Sequence, residues 1–163
     1  MYHLLVVAGF CLGSILSQST TPSSACPGGF KQFGMSCYAY LDHKETWADA
    51  QSICRALGGF VAEVYSDQEN EFLKQMMRDH GSKTIWLGAD DLIIEGKWYW
   101  ATSGTSVDEY SDWAPGQPDS TASGDENCME FNLESFGGHW NDDQCDHHQR
   151  FICQKYITAD VIG

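Results

Sequence analysis

Hydrophobic and polar positions follow three different rhythms along this chain. From Leu4 to Leu16 the residues are mostly apolar, and Ser17-Gln18-Ser19 then turn small and polar. That run is too short to cross a bilayer and reads as a secretory signal peptide over residues 1–19, cut near Ser19. Residues 20–25 are Thr, Pro, Ser and Ala and predict a short flexible linker. A helical rhythm appears at Trp47, Ala50, Cys54 and Leu57, with Thr46 placed to cap its start and Gly58-Gly59 to stop it. Ser66 with Glu69 three residues later signals a second helix. Phe72, Leu73, Met76 and Met77 form its buried side, and His80-Gly81 ends it.

The third rhythm is shorter. Cys26 to Tyr40 mixes aromatics, glycine and two cysteines, which predicts short strands in a stapled hairpin. Beyond the helices, "TIWLGA" and "GKWYWAT" read as strands, and "CMEFN", "HWND" and "RFICQKY" as closing strands. Between Ala101 and Cys128 lies a long stretch of Ser, Thr, Gly, Pro and Asp. Loops of this length are functional or disordered. Trp113 inside it and a cysteine at its end argue for order. Two helices followed by short strands and a structured loop make an α+β plan. One domain over residues 26–155 accounts for it, with a tail at 156–163.

Cysteine usage and charge sharpen the picture. Cys11 lies in the signal run, which leaves Cys26, Cys37, Cys54, Cys128, Cys145 and Cys153. An even set in an exported chain implies three disulfides, and six cysteines leave about fifteen pairings open. The absence of any C-x-x-C pair excludes a zinc site of the usual spacing. The formal net charge of −14 disfavours nucleic acid and anionic membrane surfaces as partners. From Trp98 to Gln149 there are eleven Asp and Glu and no Lys or Arg. Trp, Phe and Cys interleave with those acids, so the run belongs to folded structure, which favours a bound cation: outside the cell, calcium. "GQPDSTASGDENC", from Gly116 to Cys128, concentrates the problem, because its three carboxylates repel one another.

These residues together resemble the C-type lectin-like domain, in its long form with an N-terminal hairpin. "CPGGFKQFGMSCY", "TWADAQSICRALGG", "WLGADD", "GQPD", "WND" and "FIC" carry the resemblance, in order, from Cys26 to Cys153. It implies disulfides Cys26–Cys37, Cys54–Cys153 and Cys128–Cys145, and a core strand containing Trp86 and Leu87. It also implies a calcium site made by Gln117, Asp119, Glu126, Asn141 and Asp142, with a cis peptide before Pro118. Three carboxylates and two amides suit an ion that takes six to eight hard oxygens. Two sugar hydroxyls can complete the coordination, with Gln117 and Asn141 donating to them and Asp119 and Glu126 accepting. An auxiliary calcium site would use Asp91, Glu95 and Glu126, but Ser120 and Asn127 replace its other two carboxylates.

The Gln117-Pro118-Asp119 motif resembles that of members that prefer galactose and N-acetylgalactosamine, with mannose-type glycans as the competing class. Strong galactose binders of the family carry a stacking Trp two residues after this Asp, and here the position is Thr121. A weak or broad site follows, which needs several copies in a homo-oligomer for useful avidity. The resemblance implies a secreted, extracellular lectin for glycans on microbial or cell surfaces, in innate-immune recognition and agglutination. Its alternative is a lectin-like module that binds protein or calcium carbonate mineral. An enzyme is disfavoured: "CDHHQ" lacks the helix and paired cysteines of calcium-dependent phospholipases, and Asp119 and Glu126 as metal ligands are not free for proton transfer. His139 and Phe136 read as loop or core residues, and His147 and His148 as exposed loop.

Overall fold

The computed structural model describes residues 26–120 and 125–157. The expected signal peptide, the linker, Thr121 and residues 158–163 of the tail lie outside the described residues. The chain opens with a hairpin of β1 (Lys31–Phe33) and β2 (Ser36–Glu45), stapled by Cys26–Cys37. β2 continues five residues beyond the predicted hairpin, where Leu41 and Glu45 pair antiparallel with Phe151 and Gln149 of β8 (Gln149–Tyr156).

Helix α1 (Trp47–Ala56) begins where predicted. Thr46 is its N-cap, and its side chain accepts from the Asp49 amide. Trp47, Ala50 and Cys54 are buried at helical spacing, and the Cys54–Cys153 disulfide bolts that face to β8. A two-residue strand β3 (Phe60–Val61) also pairs with β8. Helix α2 (Asp67–Asp79) is capped by Ser66. Only half of the expected capping box forms, since Glu69 reaches back to the Tyr65 amide and the Tyr38 hydroxyl instead of the Ser66 amide.

β4 (Thr84–Asp90) is the central strand, and Ile85 to Ala89 are fully buried or nearly so. Trp86 faces a cluster with Trp47, Cys54 and Phe151, while Leu87 faces a larger one around Leu73, Met77 and Trp140. Burial on both faces explains why the sequence here is a continuous apolar run. Gly88 sits where a Cβ would meet the Val61 carbonyl oxygen at 2.4 Å, so the strand can approach β3 only with glycine at this position. β5 (Tyr99–Trp100) pairs with β4, and β6 (Cys128–Asn132) and β7 (His139–Asp143) complete the sheet in the order β1-β2-β8-β4-β6-β7. β4 and β8 run parallel, and the Ile157 amide donates to Met35 O beside the first hairpin.

The long loop is ordered by what holds it. Tyr110 donates to Asp67 Oδ1 at the start of α2. Asp112 takes hydrogen bonds from Lys74 Nζ at 2.9 Å and from His139 Nδ1 at 2.7 Å, and another from Asn70 Nδ2. Burial pushes the Asp112 carboxyl up, but Lys74, Asn70 and His139 outweigh it and hold the group below the usual range. Trp113 packs edge-on to Trp98 and Trp140 and forms a bridge beside β7. It therefore anchors the loop, which accounts for the order that a Trp at this position suggested.

Candidate metal centre

Three chain segments supply the candidate ligands: the loop at 117–120, the approach to β6 at 125–127, and β7. The loop is laced to β7 by backbone bonds from Ala114 N to Trp140 O and from Gln117 N to Ala114 O, both 2.9 Å. The Gln117–Pro118 peptide is cis. Asp142, which is buried, then draws the following residues in. Its carboxylate accepts from the Asp119 amide at 3.1 and 3.2 Å and from the Ser120 amide at 2.7 Å. Ser120 adopts a left-handed φ of 43°, unfavourable for a residue with a Cβ. The amide bond to Asp142 and a 2.7 Å bond from Ser120 Oγ to Glu95 Oε1 hold it there.

One carboxylate oxygen from each of Asp119, Glu126 and Asp142 lies within 4.8 Å of the others. Asp119 is exposed, Glu126 half-buried and Asp142 buried, so the cluster faces solvent on one side. Burial raises the Asp142 carboxyl. The amides of Ser120 and Asp119 counter part of that rise, and the Asp119 charge adds to it. Two residues before Asp119, the buried Gln117 Oε1 has no hydrogen-bond donor among the described residues. An unanswered buried carbonyl of this kind costs about 1–3 kcal/mol. A hard cation would satisfy the orphaned oxygen and relieve the repulsion among the carboxylates. The donors are carboxylate and amide oxygens without sulfur or imidazole, which fits calcium.

Asn141 is placed differently from the expected sugar donor. Its Nδ2 donates to Glu130 Oε1 at 3.0 Å and to the Asp142 carbonyl at 2.6 Å, so both amide hydrogens are engaged inside the protein. Glu130 also accepts from Asn132 at 3.0 Å and from Gln149 at 2.6 Å. Burial raises its carboxyl, with these three amide donors pulling against that rise. Glu130 escaped the sequence reading. The one available signal was a carboxylate inside the apolar strand "CMEFN".

Asp91 and Glu95 stand outside the three-carboxylate cluster. Asp91 is buried, and its Oδ2 accepts from the Gly96 amide at 2.7 Å. Its Oδ1 has no partner among the described residues. Burial raises its carboxyl, the Gly96 amide lowers it, and Glu95, Asp142 and Asp90 raise it again. Asp125 is exposed, as are His147 and His148, and His147 bonds to Asp143 Oδ1 at 2.8 Å. His139 is tied to Asp112, and Phe136 is half-buried.

Comparison with known proteins gives these contacts a context. The family model described as the lectin C-type domain matches residues 43–155. Perlucin from Haliotis laevigata is 39% identical over 131 residues, spanning 80% of this chain and 83% of perlucin. The galactose-specific lectin nattectin from Thalassophryne nattereri is 29% identical over 156 residues, 94% of each chain. The carbohydrate-recognition domain of the mouse scavenger receptor C-type lectin superposes with a TM-score of 0.72 at 34% identity. That match covers 82% of this chain and 98% of the mouse domain.

Proposed function

The chain belongs to the C-type lectin domain family, and from that premise we propose that it is a secreted, calcium-dependent, galactose-type lectin. The family consists of binding proteins rather than enzymes, so the site is read for recognition. The observation that carries the reading is the convergence of Asp119, Glu126 and Asp142 within 4.8 Å.

Calcium would be held by Gln117, Asp119, Glu126, Asn141 and Asp142, and when bound it supplies coordination positions that two sugar hydroxyls can take. Gln117 offers its orphaned Oε1 to the ion and its N–H groups to a hydroxyl. Asp119 and Glu126, on the open side, accept hydroxyl protons. Asp142 holds the loop in place from beneath. Asn141 has spent its donors on Glu130 and Asp142, so its part is to offer Oδ1 to the ion.

The Gln-Pro-Asp order, and the likeness to a lectin described as galactose-specific, support galactose over mannose. Without an aromatic at position 121, one site is expected to bind near millimolar, ~−4 kcal/mol. Clustered copies would raise that avidity enough to agglutinate microbial surfaces. Secretion is supported by three disulfides and by the signal-like run. No helix among the described residues is long and apolar enough to cross a membrane.

The test is a glycan array run with calcium, with chelator, and with Glu126→Ala. Galactose-ended glycans should bind only with calcium. Glu126→Ala should weaken binding beyond the roughly 10- to 100-fold that loss of an outer-shell partner costs a metal site. Binding that survives chelation would overturn the mechanism, and preference for mannose would overturn the sugar assignment.

A further inference from the structure

We infer that the cavity beside Pro118 is a second sugar subsite, which receives an uncharged ring adjoining the sugar held at Gln117, Asp119 and Glu126. The inference rests on the carbohydrate reading above and adds what that reading lacks, an aromatic surface for the ligand.

The cavity has a volume of about 380 Å³, and Trp98, Tyr99, Trp113, Pro118, Lys97 and Asp108 are among its lining residues. Pro118, one of its lining residues, sits in the chain between two of the candidate calcium ligands, so the cavity adjoins the loop that carries them. Its aromatic wall is well supported. Trp98 is 7% exposed and meets Trp113 edge-on at 4.9 Å, while Tyr99 is 40% exposed and available to a ligand. The apolar face of a pyranose ring packs well on such a surface.

The wall is also held in place. The Val107 amide donates to Trp98 O at 3.1 Å, and Tyr99 forms a bridge with Ser106. On the other side, the Glu95–Ser120 bond ties the preceding loop to the motif. A preformed cavity of this size suits a small ligand without rearrangement.

The charges around the cavity narrow the ligand. Asp108 lines the cavity, and Glu95 and Asp119 adjoin its lining residues Gly96 and Pro118 in the chain, against Lys97 as the cation among the lining residues. An acidic or sulfated sugar would be repelled, whereas a neutral ring can hydrogen-bond to both Asp108 and Lys97.

Calorimetry on the full mature chain in calcium would test this. The ligands are methyl galactoside, methyl mannoside, and panels of neutral galactose- and mannose-ended di- and trisaccharides of different linkage. At least one oligosaccharide should bind roughly two- to twelve-fold tighter than its terminal monosaccharide. Tyr99→Ala should erase that gain and leave monosaccharide and calcium binding unchanged. In nitrogen-15 spectra the Trp98 indole N–H, identified by its loss in Trp98→Phe, should shift with the oligosaccharide and not with the monosaccharide. Equal affinity for mono- and oligosaccharides, or a Tyr99→Ala protein that keeps the gain, would overturn the subsite alone. Failure of every sugar to bind in calcium would overturn the carbohydrate reading as well.

Discussion

Asp142 shows how one side chain can serve both folding and binding. It is 1% exposed, yet its carboxylate gathers the Asp119 and Ser120 amides and also contributes to the three-acid cluster. The "WND" motif made it legible as a ligand, but its hold on a loop 22 residues away was not, because only the folded loop supplies those amides. Asp142, Asp91 and Glu130 all have carboxyls raised by burial. A carboxyl raised in the folded state binds its proton more tightly there. Its stabilising contribution is complete below the unfolded pKa and is lost as pH rises through the folded one. Calcium-free protein should therefore melt at higher temperature as pH falls from neutral toward the ordinary carboxylate range. Calcium-saturated protein should melt at lower temperature over the same window, because protons displace the ion from its ligands. Thermal melts in both states would check this, and slopes of the same sign would count against it. Asp112, held below the usual range, acts in the opposite sense and only at lower pH.

Among the elements, the helices were the most legible and the loop anchors the least. Thr46 and Ser66 cap α1 and α2 where the sequence places them, because capping and helical spacing are local properties. β3 and the extension of β2 were missed, since both are set by pairing with β8, about a hundred residues away in sequence. Lys74 is a further case. A lysine in a helix normally reads as solvated, but this one is 6% exposed and ion-paired to Asp112 of the long loop. Breaking such a pair from one side leaves a partly buried charge without its partner. Lys74→Met should cost about 3 kcal/mol in urea denaturation, and adding Asp112→Asn should restore much of it. A loss under ~1 kcal/mol would mean the pair behaves like an exposed one. Calcium affinity should fall in the single variant, since the same contact steadies the loop that carries Gln117 and Asp119.

On the scale of the whole molecule, the acidic excess and the even cysteine count pointed to an exported, cation-binding protein, while the disulfide pairing came only by resemblance. Cys54–Cys153 joins residues 99 apart, a distance that spacing cannot predict. The pairing of β2 with β8 has a consequence of another kind. Cys37 lies opposite Lys155 and is bridged to Cys26, and Ile157 bonds to Met35, so the domain's entry and exit strands run side by side. A unit with adjoining ends is portable: it can be spliced into a surface loop of a host protein, or closed into a ring, without stretching its own backbone. A head-to-tail cyclised form of residues 26–157, joined by a short glycine linker, should keep its calcium affinity and melt no earlier than the open chain. An earlier melt would mean that joining the ends strains the paired strands, against the portability their adjacency implies.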